Sequence, residues 1–422
     1  MNKIAFIFPG QGSQYVGMGK TLYDNFPVAK STFEEAEKVL GYDIKKVCFE
    51  GPFEKLTEPS YIQPAILVVS VAAYRVFEKE IGIKPDILLG HSFGGLTSLV
   101  CGGAIDFADA LLIARLKGQY SEEAVKNLNT AMSVIKGVRA KKVRAICEKI
   151  STPKNLVVVG IVNSPNQVII SGQVSALEKA ENELQKQGGT FERLRVKAPF
   201  HSALLNSAAK KIKKDLEKIN FKKLKLPVLS AMSGEIYKSN EKTKMINDLS
   251  QSLSDESDWL GPVEKLFSLG IRLTIEIGPQ KILTNLMPDI TPDIETLTFN
   301  KFIDLESIKH RFGIDAAGKI EAIVRCLRVA VCVKNNNWNN EEYEAGVVKH
   351  YREIKNRLLE IRKQEAEPRL DDVVAALQML DSVFQTKKIS AEERKERQAE
   401  IFANELVSLE TLLRSKKKLP NF

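Results

Sequence analysis

The sequence is poor in cysteine, histidine and long apolar runs, and each shortage excludes something. Five cysteines occur in 422 residues (Cys48, Cys101, Cys147, Cys326 and Cys332). They are scattered in apolar surroundings, with neither the pairing of a disulfide framework nor the spacing of a metal site. They read as buried free thiols of a chain kept in a reducing cytoplasm. The longest early apolar run, Ile4 to Phe8, is too short for the core of a signal peptide, and no later stretch reads as the roughly 18 apolar residues of a membrane helix. No membrane association is expected. A formal net charge of +9 invites nucleic-acid binding, but the excess is thin: 23 basic against 20 acidic residues from 301 onward, and 39 against 33 before. The one basic cluster, Lys416-Lys417-Lys418, reads as a tail, and no nucleic-acid-binding module appears, so that class is set aside. A mildly basic surface suits an acidic protein partner or a phosphate-bearing ligand.

What is present is ordinary globular composition, 44% hydrophobic and 27% charged, on a chain long enough for two or three domains. Strand signals (Ile4–Phe8, Ile87–Leu89) alternate with helical ones (Val28–Leu40, Pro64–Lys79), which implies a parallel sheet flanked by helices. Between residues 130 and 198 the order becomes β-α-β-β-α-β, the pattern of a ferredoxin-like unit. The α/β rhythm then resumes near Pro227–Ser230 and Leu273–Ile277. Beyond residue 300 strand signals stop. Leu370, Val373, Val374, Leu377, Leu380 and Phe384 share one helical face, and Ser390 with Glu393 forms a capping box opening a helix striped by Ile401, Phe402, Leu406, Leu409 and Leu413. The expected fold is therefore a parallel-sheet, α/β-hydrolase-like large subdomain (1–129 and 199–300), an inserted ferredoxin-like small subdomain (130–198) and a helical C-terminal extension (301–422).

Gly90-His91-Ser92-Phe93-Gly94 is a G-x-S-x-G sequence standing after a strand and before a helix, the setting of a nucleophile elbow. A serine nucleophile needs a base, and only four histidines exist. His91 belongs to the elbow and points away from it. His310 and His350 sit among charges and read as surface residues. His201, after Ala198-Pro199-Phe200, is the base by elimination. Pro9-Gly10-Gln11-Gly12-Ser13-Gln14 makes a glycine-rich turn after the first strand, of a kind that aims backbone amides at an anion. Gly17-Met18-Gly19-Lys20-Thr21 contains G-K-T, but a phosphate-binding P-loop would need glycine at Gln14, so nucleotide binding of that type is rejected.

Phe8-Pro9-Gly10-Gln11-Gly12-Ser13-Gln14, Gln63-Pro64-Ala65, Gly90-His91-Ser92, Asn163-Ser164-Pro165, Pro199-Phe200-His201 and Glu276-Ile277-Gly278-Pro279 together resemble the malonyl-CoA:acyl-carrier-protein transacylases and the acyltransferase domains of polyketide synthases. The resemblance runs from Met1 to about residue 300. The helical extension is similar to that of free-standing acyltransferases serving polyketide and hybrid lipopeptide assembly lines. The resemblance implies that Ser92 attacks an acyl-CoA thioester, that His201 carries the proton, and that the backbone amides of Gln11 and Phe93 hold the oxyanion. It also implies a backbone carbonyl, not an acid, behind the histidine, no metal or bound organic cofactor, coenzyme A thioester as substrate, and an acyl carrier protein as partner.

Lys117 stands where malonyl enzymes carry an arginine that pairs with the malonyl carboxylate. Lysine keeps the charge and loses the two-pronged geometry. Arg115 cannot replace it, since two residues turn a helical side chain about 200° away. Four readings stand: Lys117 serves malonyl, the acyl group differs, the protein hydrolyses stalled acyl chains, or Lys117 is a solvated lysine. Phe93 and Phe200 would wall an aromatic pocket for a small acyl group, or pack in the core. Gln251 is matched to a site glutamine. Arg193, Arg195 and Lys197 alternate onto one strand face, open to phosphates, to an acidic carrier, or simply to solvent. A non-catalytic docking module and an unrelated esterase are the competing classes.

Overall fold

The computed structural model describes residues 3–403, 406–415 and 418–419. Two compact units result: one holds the chain to Phe77 and Lys84–Phe302, the other Glu78–Ile83 and the residues from Ile303 onward.

The first unit is built on two five-stranded sheets. One is parallel throughout, in the order β10 (Glu295–Phe299), β9 (Ile271–Ile277), β1 (Lys3–Phe8), β2 (Ile87–Gly90), β7 (Val228–Leu229). Strands β1, after Lys3, and β2 are apolar on both faces because helices cover both, as a parallel sheet requires. Ala5 and Ile7 of β1 pack with Ile87, Leu89, Leu229, Trp259, Val263 and Leu266 on one face. Phe6 and Phe8 turn to the other, where Phe6 meets Phe77 edge to face at 4.9 Å and Phe77 meets Phe299 at 5.5 Å. Strand β10 was not legible as a strand: Thr296 and Thr298 make it a half-polar edge, and Thr274 Oγ1 pairs across it with Thr296 Oγ1 at 2.7 Å.

The second sheet runs β6 (Thr190–Arg193), β3 (Thr130–Lys136), β5 (Gln167–Gln173), β4 (Val157–Ser164), β8 (Ser257–Asp258). Its first four strands are antiparallel neighbours in the order 4-1-3-2 of a ferredoxin-like unit. The fifth, β8, lies parallel to β4 and comes from beyond residue 250, so the chain returns to extend the small sheet. The helices Ala140–Ile150 and Val174–Lys186 press Val143, Cys147, Leu177 and Leu184 onto Ile135, Val168 and Ile170.

Helix Pro59–Glu80 departs from the sequence reading, since by length and composition it would cross a membrane. With 83% of its most apolar stretch buried, it is a core helix. Strand β6 stops at Arg193, so Arg193, Arg195 and Lys197 do not share a strand face. Arg193 is bound by Glu181 and Glu178, Lys197 by Glu58, and the Arg195 guanidinium lies over the Phe53 ring.

The second unit is helical throughout its described residues. Helix Leu370–Thr386 buries Val373, Leu377, Leu380, Val383 and Phe384 and packs against Ala316–Cys332. Ser390 Oγ accepts from Glu393 N at 3.2 Å, capping Ala391–Ile401. The stripe from Ile401 to Leu413 spans two helices, not one: the first ends at Ile401 and Val407–Ser415 starts afresh. Of the terminal basic cluster, Lys416 and Lys417 lie outside the described residues, and Lys418 pairs with Asp371.

Candidate active site

Strand β2 delivers Ser92 through a turn that only its glycines permit. A Cβ on Gly90 would stand 2.0 Å from the Gly94 backbone, and one on Gly94 would stand 2.2 Å from the Phe8 carbonyl oxygen. Ser92 itself is held at φ 51°, the left-handed region, a strain of about 1–3 kcal/mol that the surrounding packing must sustain. His91 N donates to Phe8 O (2.9 Å) and Gly94 N to His91 O (2.8 Å), which opens helix Gly94–Cys101 directly behind the serine.

Ser92 Oγ lies 2.6 Å from His201 Nε2, although 109 residues separate them. His201 Nδ1 faces the Asp255 carbonyl oxygen at 3.1 Å. A carbonyl only accepts, so Nδ1 carries the ring proton and Nε2 offers its lone pair to the serine hydroxyl. His201 is 2% exposed. Burial, reinforced by the charges of His91 and Lys117 against the pull of the Asp255 carbonyl, brings its pKa down to about 3, so the ring is neutral. Its backbone is as constrained as its ring: φ is 60°, and N–H donates to Leu253 O at 2.8 Å. Gly160 of β4 packs closely behind it: a Cβ there would stand 3.4 Å from His201 Cβ.

The Gln11 turn lies against the elbow: a Cβ on Gly10 would stand 2.6 Å from His91 O and 3.4 Å from Phe93 N. Among the described residues, neither the Gln11 nor the Phe93 N–H donates a hydrogen bond, while Gly12 N is taken by Gln14 Oε1 and Ser13 N by Gly10 O. Two free amides thus flank the serine, one of them at the start of a helix, an arrangement suited to an oxyanion.

Lys117, on helix Phe107–Ala124, is 2% exposed and so not a solvated surface residue. Its ammonium donates to Leu249 O (3.2 Å) and Ser252 Oγ (3.1 Å) and stands 5.9 Å from the Phe93 ring centre. Burial lowers its pKa to about 8. All its partners are neutral: among the described residues no carboxylate pairs with it. Arg115 points elsewhere, donating to Leu40 O at 2.9 Å. Phe93 and Phe200 are both buried. Gln251 is exposed at the end of helix Lys242–Gln251 and lines neither the cleft beside Gln11 nor the small void beside Ser92, so the structure does not bring it to the site. From that segment it is Leu249 and Ser252 that reach inward, beside Ser92 around a void of about 20 Å³.

A cleft of about 490 Å³ opens between the two sheets, with Gln11 and His91 on one wall and Val134, Asn163, Gln167 and Glu192 on the other. His91 Nε2 donates to Asn163 Oδ1 (2.9 Å), whose Nδ2 donates to Gln167 Oε1 (2.9 Å), tying the elbow to the small sheet. Burial lowers the His91 pKa, and its ring stands edge-on to Trp259 at 5.1 Å. Sequence reasoning did not assign Asn163, Ser252 or the Asp255 carbonyl. The first was visible only as part of a motif, and the other two act through backbone or through a contact far along the chain.

The family description "Acyl transferase domain" matches residues 5–283. Among curated proteins, a malonyl CoA-acyl carrier protein transacylase of Bacillus subtilis (strain 168) is 38% identical over 301 residues, covering 70% of this chain and 93% of the relative. A second of that name, from Bacillus subtilis, is 30% identical over 397 residues, covering 92% of this chain and 98% of the relative, and so reaches into the helical unit. The Escherichia coli (strain K12) transacylase is 36% identical, covering 71% of this chain and 95% of the relative. Among solved structures, a malonyl-transacylase in complex with its holo type II polyketide-synthase acyl carrier protein superposes with a TM-score of 0.70 at 35% identity, covering 73% of this chain and 98% of that one. The Coxiella burnetii malonyl CoA-acyl carrier protein transacylase also gives 0.70, at 32% identity, with 74% and 98% covered.

Proposed function

The chain belongs to the acyl transferase domain family, and from that premise we propose that it moves a malonyl group from coenzyme A, through Ser92, to the phosphopantetheine thiol of an acyl carrier protein. Ser92 Oγ attacks the thioester carbonyl while His201 Nε2 takes its proton. The carbonyl oxygen becomes an oxyanion between the Gln11 and Phe93 amides. As the C–S bond breaks, His201 returns the proton to the coenzyme A sulfur, leaving malonyl-Ser92. The carrier thiol then gives its proton to His201 and attacks the acyl-serine, and the serine leaves with that proton. Attack, oxyanion and proton transfer all fall to groups of the chain, so the reaction calls on no metal or organic cofactor. Five free cysteines suit a reducing cytoplasm.

The observation that carries this reading is the 2.6 Å contact between Ser92 and a buried, neutral His201. The choice of malonyl rests on Lys117, a buried cation with only neutral partners. A carboxylate arriving on the acyl group supplies the compensation that the protein itself withholds. Intact-mass measurement after incubation with malonyl-CoA or acetyl-CoA, with Ser92→Ala as control, tests it. A Ser92-dependent malonyl adduct that passes to an added carrier is expected. Release of coenzyme A with neither adduct nor carrier loading would make the protein a hydrolase, and an acetyl adduct as abundant as the malonyl one would remove Lys117 from substrate choice.

A further inference from the structure

Gly90, Gly94 and Gly95 surround Ser92, and the backbone demands only the first two. A Cβ on Gly90 or Gly94 would collide with neighbouring main chain, whereas one on Gly95 would meet nothing within 4 Å. Gly95 is not in the left-handed region either, and it sits in the first turn of helix Gly94–Cys101, where alanine would suit the helix better. The turn does not ask for this glycine, so the reason for it lies in the space it leaves. That space is the void of about 20 Å³ beside Ser92, which Gly95 lines together with Ala231, Met232, Leu249 and Ser252. It admits one group the size of a water or a methyl. Leu249 and Ser252 also hold the Lys117 ammonium, so the void adjoins both the nucleophile and the groups around the cation. An acyl group stretched between Ser92 and Lys117 would pass it with its α-carbon. The hydroxyls around the void are already engaged: Ser230 Oγ and Tyr237 OH donate to Asp248 Oδ2 at 2.6 and 2.8 Å, and Ser252 Oγ donates to Leu249 O at 2.8 Å. The Asp248 carboxylate on its wall repels a second carboxylate. Both features favour a small, neutral, apolar occupant.

We propose that Gly95 is a specificity-determining residue: by lacking a side chain it leaves room for one methyl branch on the α-carbon of the acyl group, and the protein therefore loads α-methyl-branched malonyl groups as well as malonyl itself. The inference rests on the malonyl reading above and deepens it. The chemistry is unchanged: the bond from Ser92 Oγ to the acyl carbon forms, the C–S bond breaks, and the serine proton leaves on the coenzyme A sulfur. A two-carbon branch exceeds the void and is refused.

Single-turnover loading of Ser92 from malonyl-CoA, methylmalonyl-CoA and ethylmalonyl-CoA, read by intact mass on the full chain and on Gly95→Ala, tests it. The wild-type chain should load methylmalonyl within roughly tenfold of malonyl, with ethylmalonyl far behind. In Gly95→Ala the added methyl occupies the void, and the ratio of kcat/KM for malonyl-CoA over methylmalonyl-CoA should rise roughly tenfold to two-hundredfold. Its unfolding midpoint should rise by about 2 °C, as alanine replacing a helical glycine in open space requires. A wild-type chain that loads malonyl and refuses methylmalonyl overturns the proposal and leaves the malonyl reading standing, and ethylmalonyl loaded as fast as methylmalonyl overturns the size limit. An unchanged ratio in Gly95→Ala, whether both thioesters slow together or neither does, also overturns it, because the glycine would then serve the turn or face solvent. A lowered midpoint removes the open space on which the proposal stands. Absence of any Ser92 adduct from all three thioesters sinks the malonyl reading and this inference with it.

Discussion

Replacing Lys117 by Met should make the protein more stable and less able to accept malonyl. Burial brings the Lys117 ammonium from 10.5 to about 8. Each tenfold in proton affinity is about 1.4 kcal/mol, so keeping that charge in place at pH 7 costs on the order of 3 kcal/mol. Methionine matches the length of the lysine stem and is at ease in an irregular interior. The groups left behind satisfy each other, because Ser252 Oγ already donates to Leu249 O at 2.8 Å. Allowing for the two lost lysine hydrogen bonds, a net gain of about 1–2 kcal/mol is expected, or a rise of roughly 2–6 °C in the unfolding midpoint of the catalytic unit.

The sign of the pH dependence follows. Folded Lys117 binds its proton more weakly than unfolded Lys117, so between about pH 8 and 10.5 the unfolded chain holds more protons and wild-type stability climbs with pH. The methionine variant has no such slope. Its advantage is full below pH 8 and gone by about pH 10.5. Loading should move the other way: losing a charged hydrogen bond of about 1.5–3 kcal/mol to the malonyl carboxylate lowers kcat/KM for malonyl-CoA by roughly tenfold to a hundredfold, with acetyl-CoA unaffected. Thermal melts at pH 7 and pH 10, beside single-turnover loading of both thioesters, read all of this. A lower midpoint at pH 7 would refute the argument from buried charge, and undiminished malonyl loading would refute Lys117 as the carboxylate partner.

Three further outcomes are expected. The kcat/KM for loading from malonyl-CoA should be level from mildly acidic pH to about 8 and then fall as Lys117 deprotonates, since His201, at about 3, is an unprotonated base throughout. A loss of rate below pH 6.5 in that profile would mean a solvated histidine. Gly94→Ala drives a Cβ to within 2.2 Å of the Phe8 carbonyl, so denaturant unfolding should show a loss of about 1–3 kcal/mol or more together with lost loading. Asn163→Leu strands the buried His91 Nε2–H, and the same titration should show about 1–3 kcal/mol lost while the Ser92–His201 contact, and hence Ser92 labelling, persists.

The parts of the fold that were legible are those where local pattern and tertiary role agree. Ile4–Phe8 and Ile87–Leu89 are apolar at every position because both faces of a parallel sheet are covered, and the β-α-β-β-α-β run carries its own amphipathic periods. Strand β10 escaped because Thr296 and Thr298 face a polar edge, and β8 because two residues carry no period. Helix Pro59–Glu80 shows the opposite failure: its apolar content is that of a membrane span, and only the packing around it makes it a core helix. The single helix expected to run on through Ile401–Leu413 is two, one ending at Ile401 and another over Val407–Ser415, and an apolar stripe alone does not mark where one helix ends and the next begins.

At the site, residue type was legible and environment was not. Ser92 and His201 could be paired by elimination because chemistry demands a base and the chain has only four histidines. Nothing local to position 117 says whether that lysine is solvated or buried. Its burial is made by Leu249 and Ser252, more than 130 residues away. The same distance problem explains Gln251, where sequence spacing chose the right segment and the wrong face of its helix. A lysine sealed among a carbonyl, a hydroxyl and an aromatic ring is a liability to the folded chain unless something negative joins it. On the proposed malonyl reading, the acyl group's own carboxylate would complete the site's electrostatic balance, which a planar, more weakly hydrated guanidinium would need less. A protein built this way should discriminate for acidic acyl groups by the stability they confer on binding, and malonyl loading should therefore raise the unfolding midpoint of the wild-type chain and leave that of Lys117→Met nearly unmoved.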